Sequence, residues 1–116
     1  MADLFMKKGL LVRDVLGSYK NGDVYKKDGV SKKRLGHYKN GEIYTKETLF
    51  SRDVVAYYKD HELYKKKGLL SKEILAYYKR GRIYKKTGLL SEEVLAYYDE
   101  KNEEGAAAAA FFLLKL

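Results

Sequence analysis

The sequence predicts an all-β fold, an antiparallel meander of five β-hairpin repeats with about ten strands, each repeat about twenty residues long, followed by a short C-terminal apolar helix or strand. Three observations carry this expectation. One unit recurs in step with Ser31, Ser51, Ser71 and Ser91. A Tyr-to-Tyr string with a two-residue reversal lies inside each unit, and apolar residues alternate on both sides of that reversal.

Tyr19, Tyr38, Tyr58, Tyr78 and Tyr98 form one series, and Tyr25, Tyr44, Tyr64 and Tyr84 a second, with Phe5 standing in the first copy. The spacing is 20 residues, shortened once to 19. The missing residue falls in KKDGVS, where another copy reads KKGLLS, so the deletion belongs to a connector. The unit begins near Leu4 and ends its fifth copy near Glu100.

The strings joining one tyrosine to the next are YKNGDVY, YKNGEIY, YKDHELY and YKRGRIY. Asn-Gly between alternating apolar residues is the strongest short-range hairpin signal, because the tight turn needs positive φ at both central residues. Asp60-His61 replaces it in the third copy and Arg80-Gly81 in the fourth. A two-residue loop forces the register: Lys20 faces Asp23, Tyr19 faces Val24, Ser18 faces Tyr25 and Gly17 faces Lys26. Lys39 then meets Glu42, and Lys59 meets Glu62. A helical reading of SKEILAYYKRG and SEEVLAYYDE competes, since each opens on a Ser cap with acid in the first turn. The equivalent segments RDVLGSYKNG and KKRLGHYKNG would bury Gly17 and Gly36 in a helix interior at about 1 kcal/mol each, and copies of one unit share one conformation.

Strand alternation divides the first strand of each hairpin into two rows. One holds Val15, Gly17 and Tyr19 and their copies, joined across the turn by Val24, Ile43, Leu63 and Ile83. It is the more apolar and is the expected core, with a Gly or Ala column that admits a close neighbour. Arg34 breaks this row and is expected near an edge or mouth. The second row holds Leu16, Leu35, Val55, Leu75 and Leu95, then Ser18, His37, Tyr57, Tyr77 and Tyr97. Tyr57 is expected opposite Tyr64, and Tyr77 opposite Tyr84. The candidate binding face is therefore Tyr25, Tyr44, Tyr57, Tyr64, Tyr77 and Tyr84 with Lys27, Lys66 and Lys86; its plainer reading is an aromatic ladder that stiffens the sheet. The leucines of the GLL connectors are expected to seal the ends of the core. A sheet this long curls, splits into layers or closes.

Charge is uneven. Residues 1–91 carry 22 basic and 10 acidic side chains, and residues 92–116 carry 2 and 6. The doublets Lys7-Lys8, Lys26-Lys27 and Lys85-Lys86 and the triplet Lys65-Lys66-Lys67 turn into ridges, suited to a polyanion or to protecting strand edges. The domain expectation is a hairpin domain over 1–104 and an apolar tail over 105–116, GAAAAAFFLLKL. The tail is expected to dock on the open end of the sheet or on a second subunit. Phe111, Phe112, Leu113 and Leu114 are its candidate oligomer contact, and head-to-tail latching would build a ring or filament.

No cysteine is present, so thiol chemistry, Cys-based zinc sites and disulfides are excluded. The motifs GxxxxGK[ST], GxGxxG ahead of a helix and HExxH are missing, and His37 and His61 read as variants within the repeat. A repeat distributes identical residues evenly, whereas catalysis needs unlike residues at unique positions. Expected, then, are no enzymatic activity, no cofactor and no metal. The expected role is protein interaction or self-assembly, as a homo-oligomer, with nucleic acid or another polyanion as the alternative partner through Lys ridges and Tyr stacking. The N-terminal residues lack a signal-peptide pattern and no segment has the ~20 apolar residues of a spanning helix, so the expected location is cytoplasmic.

The twenty-residue hairpin unit resembles the choline-binding repeats of cell-wall proteins, which cage quaternary ammonium groups between Trp and Tyr. This chain has no Trp, and none of that cage is carried over. Its strings YKNGDVY and YKNGEIY and its Ala- and Leu-rich end resemble more closely the short bacterial tandem-repeat proteins built of YxNGxIY hairpins. That resemblance covers almost the whole chain and implies the fold, with no activity attached.

Overall fold

The computed structural model describes residues 2–47, 51–99 and 101–116; residues 48–50 and Glu100, the expected end of the fifth copy, lie outside them. Ten strands run in chain order: β1 (Ala2–Lys7), β2 (Arg13–Lys20), β3 (Asp23–Asp28), β4 (Ser31–Lys39), β5 (Glu42–Glu47), β6 (Arg52–Lys59), β7 (Glu62–Lys66), β8 (Lys72–Lys79), β9 (Arg82–Lys86) and β10 (Glu92–Tyr98). One helix follows, α1 (Glu103–Leu113). Each strand pairs antiparallel with the next, and β1 pairs with β10, so the sheet closes on itself. A closed meander has no open end for a tail to cover.

The reversals are the two-residue turns that the sequence predicts. Both central residues have positive φ in all four: Asn21 (50°) and Gly22 (86°), Asn40 and Gly41, Asp60 (51°) and His61 (66°), Arg80 and Gly81. The expected register holds throughout, with Lys20↔Asp23, Tyr19↔Val24, Ser18↔Tyr25 and Gly17↔Lys26 in the first hairpin. Tyr57↔Tyr64 and Tyr77↔Tyr84 follow in the third and fourth.

The closing seam repeats the same pattern without a turn. Leu4 pairs with Tyr98 and Phe5 with Tyr97, so β1 takes the place of a hairpin's second strand for β10. Asp99 fastens it: its carboxylate accepts from the Asp3 backbone N–H and from Arg13 at 3.1 Å each, and its backbone carbonyl accepts from the Tyr19 hydroxyl at 3.3 Å.

Inside the ring lies α1. Ala106 to Ala110 are fully buried, against Tyr19, Tyr38, Tyr58, Tyr78 and Tyr98 and the aliphatic series Leu4, Val24, Ile43, Leu63 and Ile83. Alanine is the best helix former and carries only a methyl, so a run of five gives a narrow rod that a small ring can enclose. Asn102 caps the helix, its side-chain oxygen accepting from the Gly105 N–H at 3.1 Å, while its amide donates to the Tyr38 hydroxyl at 2.7 Å. Glu103 and Glu104 occupy the first turn, where the helix dipole favours acid. At the other end Phe112 packs over Gly36 and Leu113 over Gly17. The expected column of small residues is thus the surface that the end of the helix approaches.

Two expectations about the rows need correction. Where each even strand meets the odd strand before it in the chain, the register slips: Leu4↔Gly17 is followed by Phe5↔Val15, Val24↔Gly36 by Tyr25↔Arg34, Ile43↔Ala56 by Tyr44↔Val54, Leu63↔Ala76 by Tyr64↔Ile74 and Ile83↔Ala96 by Tyr84↔Val94. The extra residue of each bulge is Leu16, Leu35, Val55, Leu75 or Leu95. A bulge reverses the alternation beyond it. Leu16, Val55, Leu75 and Leu95 therefore pack against the core rather than joining the tyrosine row, and Val15, Val54 and Ile74 leave it. Arg34 breaks nothing, because its position lies opposite Tyr25 on the outer side.

The second correction concerns the connectors. Leu10, Leu11, Leu69, Leu70, Leu89 and Leu90 seal no core; Leu69 and Leu70 are each 101% exposed. Beyond its bulge each β-pair projects as an arm, and the protein is flattened, 45 × 41 × 21 Å.

The buried hydroxyls make the fold sensitive to base. Burial, reinforced by the Asp99 carboxylate, holds the Tyr19 phenol well above its ordinary value of 10.0; burial with Glu104 does the same for Tyr78, and burial also raises Tyr58. A raised phenol favours the fold while the unfolded chain is still protonated. Its stabilisation is complete below pH 10.0 and falls above it, by about 1.4 kcal/mol per pH unit for each such tyrosine. Melting temperature followed by circular dichroism is expected to hold from neutral pH to 10.0 and then drop, less steeply in Tyr19→Phe/Tyr78→Phe. An unchanged slope in that variant would contradict the assignment.

Candidate functional site

The predicted binding face proves to be a girdle. Closing the sheet carries the aromatic pairs round the outside of the ring, one at each of four of the five junctions between arms. Tyr57 stacks on Tyr64 with centroids 5.7 Å apart, Tyr77 on Tyr84 at 5.5 Å, His37 on Tyr44 at 5.3 Å and Phe5 on Tyr97 at 6.0 Å. At Tyr25 the partner across the turn is Ser18, and the Tyr25 hydroxyl donates to the Asp23 carboxylate at 3.4 Å.

The chain's own cations cover these rings. Lys66 Nζ lies 4.3 Å from the centre of Tyr57, Lys86 Nζ 4.5 Å from Tyr77 and Lys7 Nζ 4.3 Å from Tyr97. Lys72 stands over Tyr64, Arg52 over Tyr44 and Arg13 over Phe5. Each such contact contributes roughly 0.5–1 kcal/mol at an exposed site. A planar ligand would have to displace them. Lys27 is exposed on the second arm, opposite Lys32.

The structure spends the candidate oligomer contact largely within the chain. Phe112 and Leu113 meet Gly36 and Gly17, Phe111 packs edge-on against Phe112 at 5.3 Å, and Leu114 is half-buried against the core. The two histidines stand apart. His37 Nδ1 lies 2.7 Å from the Asp23 carboxylate, and His61 Nδ1 lies 2.8 Å from the Tyr78 carbonyl oxygen and 3.6 Å from Glu103. No group of three or more His, Asp or Glu among the described residues is placed to hold a metal.

What the structure adds is the tips of the arms. Each odd-to-even connector is the tip of an arm, so Leu10-Leu11, Val30, Leu69-Leu70 and Leu89-Leu90 form the outer rim of the arms, away from the two-residue turns. They are held there. Lys8 N–H donates to the Val12 carbonyl at 2.8 Å, Lys67 N–H to Ser71 at 2.9 Å and Thr87 N–H to Ser91 at 3.0 Å, closing three-residue loops. Ser71 Oγ also donates to the Lys67 carbonyl, and Thr87 Oγ1 to Ser91 Oγ at 2.9 Å. Val30 sits on a shorter tip, with Ser31 Oγ donating to the Asp28 carbonyl at 3.0 Å. Positive φ at Gly9 (84°) and Gly68 (83°) makes two of these loops, and nothing crowds either glycine.

Basic side chains flank the rim. The arm segments 6–16, 25–35, 64–74 and 84–94 hold 14 Lys and Arg against 5 Asp and Glu. On the second arm like charges face each other directly, Lys26↔Lys33 and Lys27↔Lys32.

An all-β ring of repeated hairpins, closed around a C-terminal helix, is the class of protein that this architecture defines. The chain belongs to the family of 6-fold beta flower proteins, whose model it matches over residues 6–114. No curated protein and no solved structure matches it significantly.

Proposed function

We propose that the chain is a non-catalytic interaction module that makes contact through the rim of its arms. The observation that carries this reading is the full exposure of paired leucines on hydrogen-bonded loops at the tips of the arms, where an exposed apolar surface of that kind marks a contact site. The girdle, with rings stacked on one another and covered by lysines, serves to stiffen the junctions. Both described histidines are held in local pairs, and no convergent set of unlike groups accompanies them.

The test compares the wild type with Leu69→Ser/Leu70→Ser/Leu89→Ser/Leu90→Ser. Both are expected to melt within about 0.5 kcal/mol of each other, since exposed positions contribute little to folding. The wild type alone is expected to be retained on a phenyl-substituted resin. Equal elution would remove the rim as the contact surface.

The charge of the arms supports a second reading, single-stranded nucleic acid held by the Lys ridges. It calls for affinity that falls steeply with salt, measured by titration at two salt concentrations. Absent or salt-indifferent binding removes it.

A further inference from the structure

We propose that the junction between the first and second arms is a binding site for one phenol-type aromatic ring, stacked on Tyr25 beneath Lys27. The repeat itself defines the site. At three junctions a ring on the even strand stacks on a ring of the next odd strand, and a lysine two residues further along that odd strand lies over it. Tyr57 rests on Tyr64 under Lys66, Tyr77 on Tyr84 under Lys86, and Tyr97 on Phe5 under Lys7 across the seam. The hairpin of β2 and β3 keeps two of these three parts, Tyr25 and, two residues on, Lys27, but the residue facing Tyr25 is Ser18. Lys27 accordingly stands over no ring among the described residues.

A serine fills little of the space that a tyrosine takes. What it leaves is a cavity of about 240 Å³, lined by Asp3, Val15 and the buried Ser18 from the first arm and by Lys27 and Lys32 from the second. A cavity of roughly 150 Å³ suffices for benzene, so one ring with a substituent fits. The Tyr25 hydroxyl donates to the Asp23 carboxylate at 3.4 Å, which fixes the ring on which the ligand stacks. Stacking and an ammonium group overhead both require a π face, and an aliphatic group of the same size has none. Asp3 stands opposite Ser18 as Glu42 does opposite Tyr57 and Glu62 opposite Tyr77, so a ring bearing a carboxylate would meet a like charge. An uncharged phenol meets none, and it is the group that the chain itself places here at Tyr57, Tyr77 and Tyr97. This site lies in the girdle and does not depend on the rim.

Titration of p-cresol into isotope-labelled protein, followed by amide resonances, tests this. Shifts are expected at Ser18, Tyr25 and Lys27, saturating with a dissociation constant of about 1 mM, in keeping with so small a ligand. Cyclohexanol, of similar size but without a π face, is expected to leave those resonances in place. Lys27→Ala is expected to weaken p-cresol binding about two- to fivefold, and Lys86→Ala, whose lysine already covers Tyr77, to leave it unchanged. Ser18→Tyr supplies the ring from the chain, and is expected to bind no p-cresol and to melt at least about 2 °C higher. A pentapeptide Ala-Ala-Tyr-Ala-Ala, titrated in parallel, separates two sources of the same chemistry: binding of both assigns the slot to a tyrosine presented by another polypeptide, and binding of p-cresol alone to a free phenol. Absence of saturable shifts with p-cresol overturns the proposal. So do equal shifts with cyclohexanol, shifts centred on Tyr57 or Tyr77 instead, and a folded Ser18→Tyr protein that binds p-cresol as the wild type does.

Discussion

Ala108→Asp is expected to leave no cooperatively folded protein at neutral pH. Ala108 has no exposed surface and lies in the middle of the buried Ala106–Ala110 run, with strands on all sides. A carboxylate there would sit among tyrosine rings and aliphatic side chains, and a buried unpaired charge costs several kcal/mol, comparable to the roughly 5–15 kcal/mol that holds a whole domain together. The ring has no other core to fall back on, since the helix supplies its centre. Urea unfolding followed by circular dichroism checks it, with Lys101→Asp as the exposed control. A sigmoidal transition near the wild-type midpoint for Ala108→Asp would show that the alanine run does not lie in the interior.

The second large effect is at the base of the arms, where Gly36→Ala is expected to cost about 1–3 kcal/mol. A Cβ there would come within 2.2 Å of the Phe112 ring, although Ala56, Ala76 and Ala96 hold the equivalent positions without difficulty. The clash therefore comes from the helix end and not from the strand. Phe112→Leu is expected to recover much of the loss, giving a coupling of about 0.5–3 kcal/mol in a double-mutant cycle by urea denaturation. Gly17→Ala should behave differently, because its Cβ would also meet the Tyr25 backbone carbonyl at 2.2 Å, which no change at Leu113 can move. Additive effects at Gly36 and Phe112 would mean that the two do not touch.

The hairpins were legible because local rules decide them. Asn21-Gly22 and Asn40-Gly41 specify a tight turn, the turn fixes which residues face each other, and even Asp60-His61 accepts the left-handed geometry that the repeat imposes. Phe5 stood in the tyrosine series, but that β1 serves as a second strand for β10 shows only in the seam with Tyr97. Two things escaped strict alternation. The bulges at Leu16, Leu35, Val55, Leu75 and Leu95 insert a residue that periodicity of two cannot represent; the adjacent apolar pairs Val15-Leu16, Val54-Val55, Ile74-Leu75 and Val94-Leu95 were their only trace. Paired leucines after Gly68 and Gly88 read as core for the same reason, that leucine is usually inside. Closure decides otherwise: once α1 fills the ring, no apolar space remains at the ends of the arms. Placing the tail inside rather than on an edge needed the three-dimensional match between the alanine run and the small-residue column, which no linear pattern states.

The account turns on an inversion, alanines in the centre and leucines on the rim. Methyl resonances recorded with a soluble paramagnetic agent test it in one experiment. The account predicts strong broadening of the Leu69, Leu70, Leu89 and Leu90 methyls and almost none at Ala106 to Ala110. Leucine methyls shielded from the agent, with the alanine methyls broadened by it, would contradict it.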